Sequence, residues 1–214
     1  MTTKNFSRAG LALGVLLAAS VLQGCAPLIV GGAAVGSALM VTDRRSSGTQ
    51  IDDQGIELKA GPKIREAIGE RGHVGVTSFN RVALITGEVP SEADRTAVEQ
   101  AISRIENVRS TVNELAVAGN ASLTSRSNDA ILTSKVKATY VDAKDLQSNT
   151  LKVVTERGIV YLMGIVTERE ANRAADLAAG ISGVQKVVRV FEVISESELA
   201  GLQKPQAPAT PSKQ

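Results

Sequence analysis

The side chains able to do covalent or metal chemistry are few. The chain of 214 residues carries one cysteine, Cys25, and one histidine, His73. One thiol and one imidazole do not furnish a common zinc site, and any Ser/His triad or Cys/His pair would have to be built on His73 alone. His73, between Gly72 and Val74, reads as a surface residue at the start of a strand. The carboxylates Asp52 and Asp53, or Glu168 and Glu170, could serve acid–base chemistry. They sit in linker and helix-start contexts, among acids spread along the whole chain. The expectation is a protein with no catalytic residues, no cofactor and no metal. The one position with distinctive chemistry is Cys25, which closes the stretch Leu22-Gln23-Gly24-Cys25.

What precedes that thiol gives it a role. Lys4 and Arg8 make a positive start, Ala9 to Val21 carry no charge, and Leu22 to Gly24 lead into the cysteine. This is the plan of a secretory signal peptide, residues 1–24. A common small-x-small cleavage site needs no cysteine after it, whereas Leu-x-Gly-Cys resembles the bacterial lipobox. That resemblance implies lipidation of Cys25 and cleavage before it. The other reading takes Cys25 as one more small residue of an uncleaved anchor running from Ala9 to Val41, longer than the roughly 20 residues a bilayer span requires. Cleavage leaves an apolar, glycine-rich stretch from Ala26 to Val41, within a lipid-anchor and linker segment over residues 25–49. Ala26, after the cysteine, is not the aspartate that resembles an inner-membrane retention signal. The resulting address is the outer membrane of a Gram-negative bacterium, lipid-anchored and facing the periplasm.

Charge and aromatic content exclude other partners. The precursor's 24 Lys plus Arg fall to 22 once Lys4 and Arg8 are removed, against 22 Asp plus Glu. A mature chain with no net charge is not a general polyanion binder. Aromatics are limited to Phe6, Phe79, Phe191, Tyr140 and Tyr161, with no tryptophan, so base stacking is excluded and no nucleic-acid partner is expected.

The elements that position any site come from an internal repeat. Ala-Leu-Ile-Thr-Gly-Glu-Val at 83–89 lies over Val-Tyr-Leu-Met-Gly-Ile-Val at 160–166, each an alternating strand running through a glycine. Val74 and Val76 overlie Leu151 and Val153 in a preceding strand, with connections short enough for hairpins. A helix follows each glycine-bearing strand, opened by Pro90 and Ser91 in one copy and capped by Thr167 in the other. A last apolar strand carries Val108, Val112 and Leu115, or Val184, Val188 and Phe191. A first helix precedes each hairpin. In copy two it sets Leu132, Val136 and Tyr140 on one face, with Ser127, Asn128 and Asp129 available as caps. In copy one Gly61 and Pro62 either start a short helix or kink a longer one.

The order α-β-β-α-β, with Val-x-Leu-x-Gly-x-Val at Val160–Val166 and Gly183-Val184, resembles the BON domain. A lipobox, then Thr42 to Gln54, then two such modules resemble the dual BON-domain outer-membrane lipoproteins. The resemblance implies an α+β fold of two tandem modules, each a small three-stranded sheet packed against two helices. The modules take residues 50–117 and 128–194, with a linker at 118–127 and a disordered tail at 195–214. A connection that short implies that the modules touch. The resemblance also implies an envelope protein that binds anionic phospholipid and supports envelope integrity without enzymatic activity. The alternative is a scaffold that docks outer-membrane assembly or division-associated proteins, with the lipid only as an anchor.

A lipid-binding surface is expected on the second module. Residues 50–117 hold 8 basic and 11 acidic residues, and residues 128–194 hold 9 and 8. With Leu132, Val136 and Tyr140 inward, a 100° step turns Ile131, Ser134, Lys135 and Ala138 outward and leaves Lys137 on the flank. An outward isoleucine beside two lysines suits insertion between anionic headgroups. The bland alternative has Ile131 touching the first module and the lysines as ordinary solvated charge. Replacing Cys25 with Ala is expected to abolish membrane fractionation and leave an unprocessed precursor. Mass spectrometry that finds wild-type Cys25 intact and unmodified contradicts this.

Overall fold

The structure, a computed structural model, describes residues 43–202. Cys25, the signal peptide and most of the 25–49 segment lie outside the described residues. Among the described residues, no helix is long and apolar enough to cross a membrane. The element order is α1 (Ser47–Ile68), β1 (His73–Phe79), β2 (Val82–Val89), α2 (Glu92–Ser103), β3 (Ser110–Asn113), β4 (Ala116–Val117), α3 (Leu123–Asp142), a 3-10 turn (Ser148–Thr150), β5 (Leu151–Glu156), β6 (Ile159–Thr167), α4 (Glu168–Ala179), β7 (Lys186–Ile194) and α5 (Glu196–Leu202). The α-β-β-α-β plan is therefore present twice, and the fold is α+β.

Local chemistry sets the ends of the elements. Ser46 caps α1 by accepting from the Thr49 N–H, and Gly69, at φ 62°, closes it with its N–H on the Arg65 carbonyl. Pro62 falls inside one helix of 22 residues, so of the two readings at Gly61-Pro62 the longer helix is the one formed. That helix starts at Ser47, inside the stretch assigned to the 25–49 linker, because Ser46 supplies a cap there. Thr167 and Glu170 form a reciprocal capping box at α4, and Ser91 caps α2. The start of α3 departs from expectation. Ser122, not Ser127, Asn128 or Asp129, is its N-cap, accepting from the Ser125 N–H. The helix thus consumes half of the 118–127 linker, and Asp129 is free for another task.

In each module the central strand pairs antiparallel with its hairpin partner and parallel with the strand reached through the crossover helix, in the orders β1-β2-β3 and β5-β6-β7. The first sheet differs from a plain three-stranded one. After Asn113 the last strand breaks at Glu114 and Leu115, then resumes in register as β4, also on β2. The Asn113 side chain accepts from the Leu115 N–H across the break. Ser195 caps α5 by accepting from the Glu198 N–H, and Leu199 is buried. The segment 195–214, expected to be a disordered tail, therefore begins with a helix that a buried leucine holds down.

Strand alternation decides the layering. Ala83, Ile85 and Val89 of β2 face α1 and α2, packing with Ile56, Ala60, Val98 and Ile102. Val160 and Leu162 of β6 face α3 and α4, packing with Val136, Tyr140, Ala174 and Ala178. The opposite faces of the two sheets meet one another: Phe79 and Leu84 of the first module pack with Tyr161, Met163 and Ile165 of the second. Helices therefore cover each sheet on the side away from the other module.

The repeat glycines of the central strands are not equivalent. Gly87 has φ 115°, and a Cβ there would collide with the backbone carbonyl of His73. At Gly164 a Cβ would lie 2.8 Å from the Thr150 carbonyl oxygen. Gly87→Ala is expected to lose more stability in urea denaturation than Gly164→Ala, by roughly the 1–3 kcal/mol that such a φ costs a side chain. Gly164→Val is expected to lower the melting temperature too, and an unchanged midpoint would mean that the backbone at Thr150 moves aside freely.

Candidate functional site

The site is built on α3, and four contacts hold that helix in place. Leu132, Val136 and Tyr140 are buried on its inner face. The Tyr140 hydroxyl donates to the Ala174 carbonyl at 2.8 Å, and burial pushes its pKa well above the usual range for a phenol. Thr133 donates to the Thr155 hydroxyl on β5 at 2.8 Å. Asp129, also buried, accepts from the N–H groups of Arg157 and Gly158 at 2.9 and 2.8 Å. Those two residues turn the β5–β6 hairpin at φ 53° and 73°, so the carboxylate holds a turn that a non-glycine residue adopts at a cost.

The same device occurs in the first module. Asp53 is buried and accepts from the N–H groups of Asn80 and Arg81, at 2.8 and 2.7 Å, where φ is 51° and 64°. It also takes the Ser78 hydroxyl at 2.7 Å. The carboxylates considered for acid–base work thus have structural partners: Asp53 holds a turn, Asp52 pairs with Arg81, and Glu170 belongs to a helix cap. His73 opens β1 as expected but is half-buried, with a buried Nδ1 that has no hydrogen-bond partner among the described residues.

Facing away from the core, Ile131, Ser134, Lys135 and Ala138 come together with Ala130 in one shallow, open concavity. Ile131 is 53% exposed. Lys137 is exposed beside this patch but does not line it. Ser134 donates its hydroxyl to the Ala130 carbonyl at 2.9 Å, so it contributes bulk more than a free donor. Neither Lys135 nor Lys137 is in an ion pair among the described residues, whereas Lys59, Lys63 and Lys152 all are. The sequence reading missed Val141, 70% exposed and one turn beyond Ala138. Its signal was its spacing of three from Ala138 and seven from Ser134 on the same helix.

Ile131 and Lys135 also form one wall of a groove of about 840 Å³ between α3, the β5–β6 turn and the Ser182–Gln185 connection. Gly183, at φ 102°, leaves room there for Leu132 Cδ2, which a Cβ would approach to 3.0 Å. Asp129 lines this groove beside Arg157, and two further carboxylates lie near them. Burial, and then the charges of Glu88 and Asp129, push the Glu156 carboxyl above its ordinary range, against the pull of Arg126 and Arg157. Glu88, fully buried on the first module, has the Arg157 guanidinium of the second 3.6 Å away. Burial, followed by the charges of Glu114 and Glu156, raises the Tyr161 hydroxyl to about 12.

Comparison with known proteins places these features in a wider set. Residues 58–119 and 128–195 each match the family model of the BON domain. The chain is 38% identical over 186 residues to the outer membrane lipoprotein DolP of Haemophilus influenzae, covering 85% of this chain and 95% of that one. It is 26% identical to a 21 kDa hemolysin of Actinobacillus pleuropneumoniae, over 71% of this chain and 79% of that one. It is also 26% identical to the osmotically inducible protein Y of Escherichia coli, over 65% and 72% respectively.

Because the folded-state pKa of Glu156 is raised, its stabilising contribution is complete below its unfolded value, near 4.5, and is lost as the pH rises through the folded value. Glu156→Gln is therefore expected to be more stable than wild type at neutral pH, with the difference closing as the pH falls toward 4.5. Denaturation midpoints measured across that range test this.

Proposed function

The chain belongs to the BON-domain family, and from that premise we propose that it is an outer-membrane lipoprotein, anchored through Cys25, whose second module binds anionic phospholipid through the outer face of α3. The observation that carries the reading is the patch of Ile131, Ser134, Lys135 and Ala138, open to solvent on a helix pinned from beneath, with Lys137 beside it and neither lysine in an ion pair among the described residues. The likeness to an outer membrane lipoprotein over nearly its whole length supports the address. In this role the protein helps maintain envelope integrity.

The energetics suit a tethered contact. Two lysines near an anionic surface contribute about 1 kcal/mol each, and burial of Ile131 adds at most roughly 1.5–3 kcal/mol. Their sum corresponds to about millimolar affinity. A lipid anchor in the same bilayer supplies an effective concentration of that order. A weak site therefore suffices, and the absence of an interfacial tryptophan from this helix does not disable it.

A scaffold role for envelope assembly or division-associated proteins draws on a different observation. On α1, Ile51 and Leu58 are 68% and 79% exposed, two turns apart on one face, and α1 covers the first sheet on the side away from the second module. The two readings separate in a flotation experiment with protein lacking Cys25 and vesicles with or without phosphatidylglycerol. The triple variant Ile131→Asp, Lys135→Glu, Lys137→Glu should stay folded, because Leu132, Val136 and Tyr140 remain. It should bind anionic vesicles at least about tenfold more weakly than the unsubstituted protein. Each lysine change alone should reduce the salt dependence of binding, since exposed charges are screened over about 8 Å at physiological ionic strength. A folded triple variant that floats as well as its parent would leave the scaffold reading.

A further inference from the structure

At one end of the contact between the modules the charges do not balance. Glu88, the next-to-last residue of β2, is fully buried, and neither of its carboxylate oxygens accepts a hydrogen bond among the described residues. Its one ion-pair partner there is the Arg157 guanidinium of the second module, 3.6 Å away on a side chain that is 44% exposed. His73 stands directly opposite Glu88 in the β1–β2 ladder, so the two side chains share a face. The second module adds Glu156, at the end of β5, with Asp129 and Arg126 of α3 close enough for their charges to act on it. Glu114 of the first module and Glu156 of the second both act on the Tyr161 hydroxyl. Among the described residues, five buried side-chain nitrogen and oxygen atoms lack a hydrogen-bond partner, and four of them belong to Glu88, His73 and Arg126. Atoms buried in this way cost stability.

The other end of the same contact is tied. Asn80, which precedes β2, and Arg109, which precedes β3, both donate to Glu192 near the end of β7. The modules are therefore fastened at one end and bring like charges together at the other. We propose that Glu88 and Glu156 form a proton-operated latch: with both ionised the modules part at this end, and one proton taken from solvent by the pair closes it. A carboxylate only accepts, whereas a protonated carboxyl also donates, so a single proton replaces repulsion with the means to form a hydrogen bond. Asp129 is already engaged by the Arg157 and Gly158 N–H groups. No three His, Cys, Asp or Glu side chains among the described residues converge as a metal site requires, so the cluster suits a proton and not a metal ion.

The sign follows from the surroundings of Glu156. Burial first, then the charges of Glu88 and Asp129, hold its carboxyl above the ordinary range. Its contribution to the closed contact is therefore complete below the unfolded value, near 4.5, and is lost as the pH rises through the folded value. A charge gained by His73 would place a cation opposite Glu88 and act in the same direction, so the imidazole needs its own control. Movement at this end reaches α3, because Asp129 projects from that helix and holds the turn that carries Arg157.

The test uses the full-length chain carrying Cys25→Ser, with nitroxide spin labels on Glu66→Cys of α1 and Ser127→Cys of α3, both exposed. With Cys25 replaced, these are the only two thiols. Double electron–electron resonance reads the distance between the modules from about pH 4.5 to pH 8. On acidification the ratio of the longer to the shorter distance should fall by up to about tenfold per pH unit, the limit for one proton. Glu88→Gln and Glu156→Gln each put a neutral donor in place of one carboxylate and should hold the shorter distance across the range. His73→Gln should keep the response of the parent. A distance distribution that does not change with pH in the parent overturns the proposal. So does a response that survives in both glutamate variants, or one that His73→Gln abolishes, which would make the imidazole the sensor. Circular dichroism of the same samples should show no loss of helix as the distance lengthens, and a parallel loss also overturns the proposal, because the modules would then be unfolding and not parting.

Discussion

A three-stranded sheet with helices on one side has a second face with nothing to cover it. In this chain that face is apolar in both repeats, with Val82, Leu84 and Val112 in one and Tyr161, Met163, Ile165, Val188 and Val190 in the other. Exposure of so large a patch would invite association or aggregation. Each module hides the face of its sibling, and the two repeats become one unit. The helical layers are then turned outward, which is why the outer side of α3 can be a surface at all.

Apolar packing between sheets does not by itself choose one register. The rim charges narrow the choice: Lys152 reaches Glu57, Arg109 and Asn80 reach Glu192, and Arg157 approaches the buried Glu88. Most of these pairs are partly exposed and individually contribute little stability. Arg44 with Glu170 is different, because both side chains are buried and the contact is bidentate. Breaking such a pair leaves an uncompensated charge in a dry place, which makes it a strong determinant of how the residues before α1 seat against the second module.

The two buried aspartates solve a second problem common to both modules. A tight hairpin is needed between the first two strands, yet Asn80, Arg81 and Arg157 all turn with positive φ. Asp53 and Asp129, projecting from the first helix of each module, accept the N–H groups of those turns. Helix and hairpin are thereby locked together, so the outer face of α3 is presented on a rigid support. A surface held rigid in this way has little conformational freedom left to lose on contact with a ligand.

The amino-acid sequence by itself determined the type and order of the elements. Alternation in Val160–Val166, helical spacing in Leu132, Val136 and Tyr140, and caps at Ser91 and Thr167 are local signals, carried by periods of two and 3.6 and by neighbouring side chains. The outward set on α3 followed from the same periodicity, which is why Ile131, Ser134, Lys135 and Ala138 could be named and found together. The helix starts were harder to read. The sequence offered Gly61-Pro62 rather than Ser46 at the first helix and Ser127, Asn128 or Asp129 rather than Ser122 at α3, and Asp129 looked like a cap while its carboxylate serves a turn 28 residues away. Only the tertiary structure decided that the bare sheet faces meet, that Glu88 is buried against the other module, and that Arg44 grips Glu170 across 126 residues. No periodicity encodes such pairs, because their partners are far apart in sequence and meet only through the packing of one module on the other.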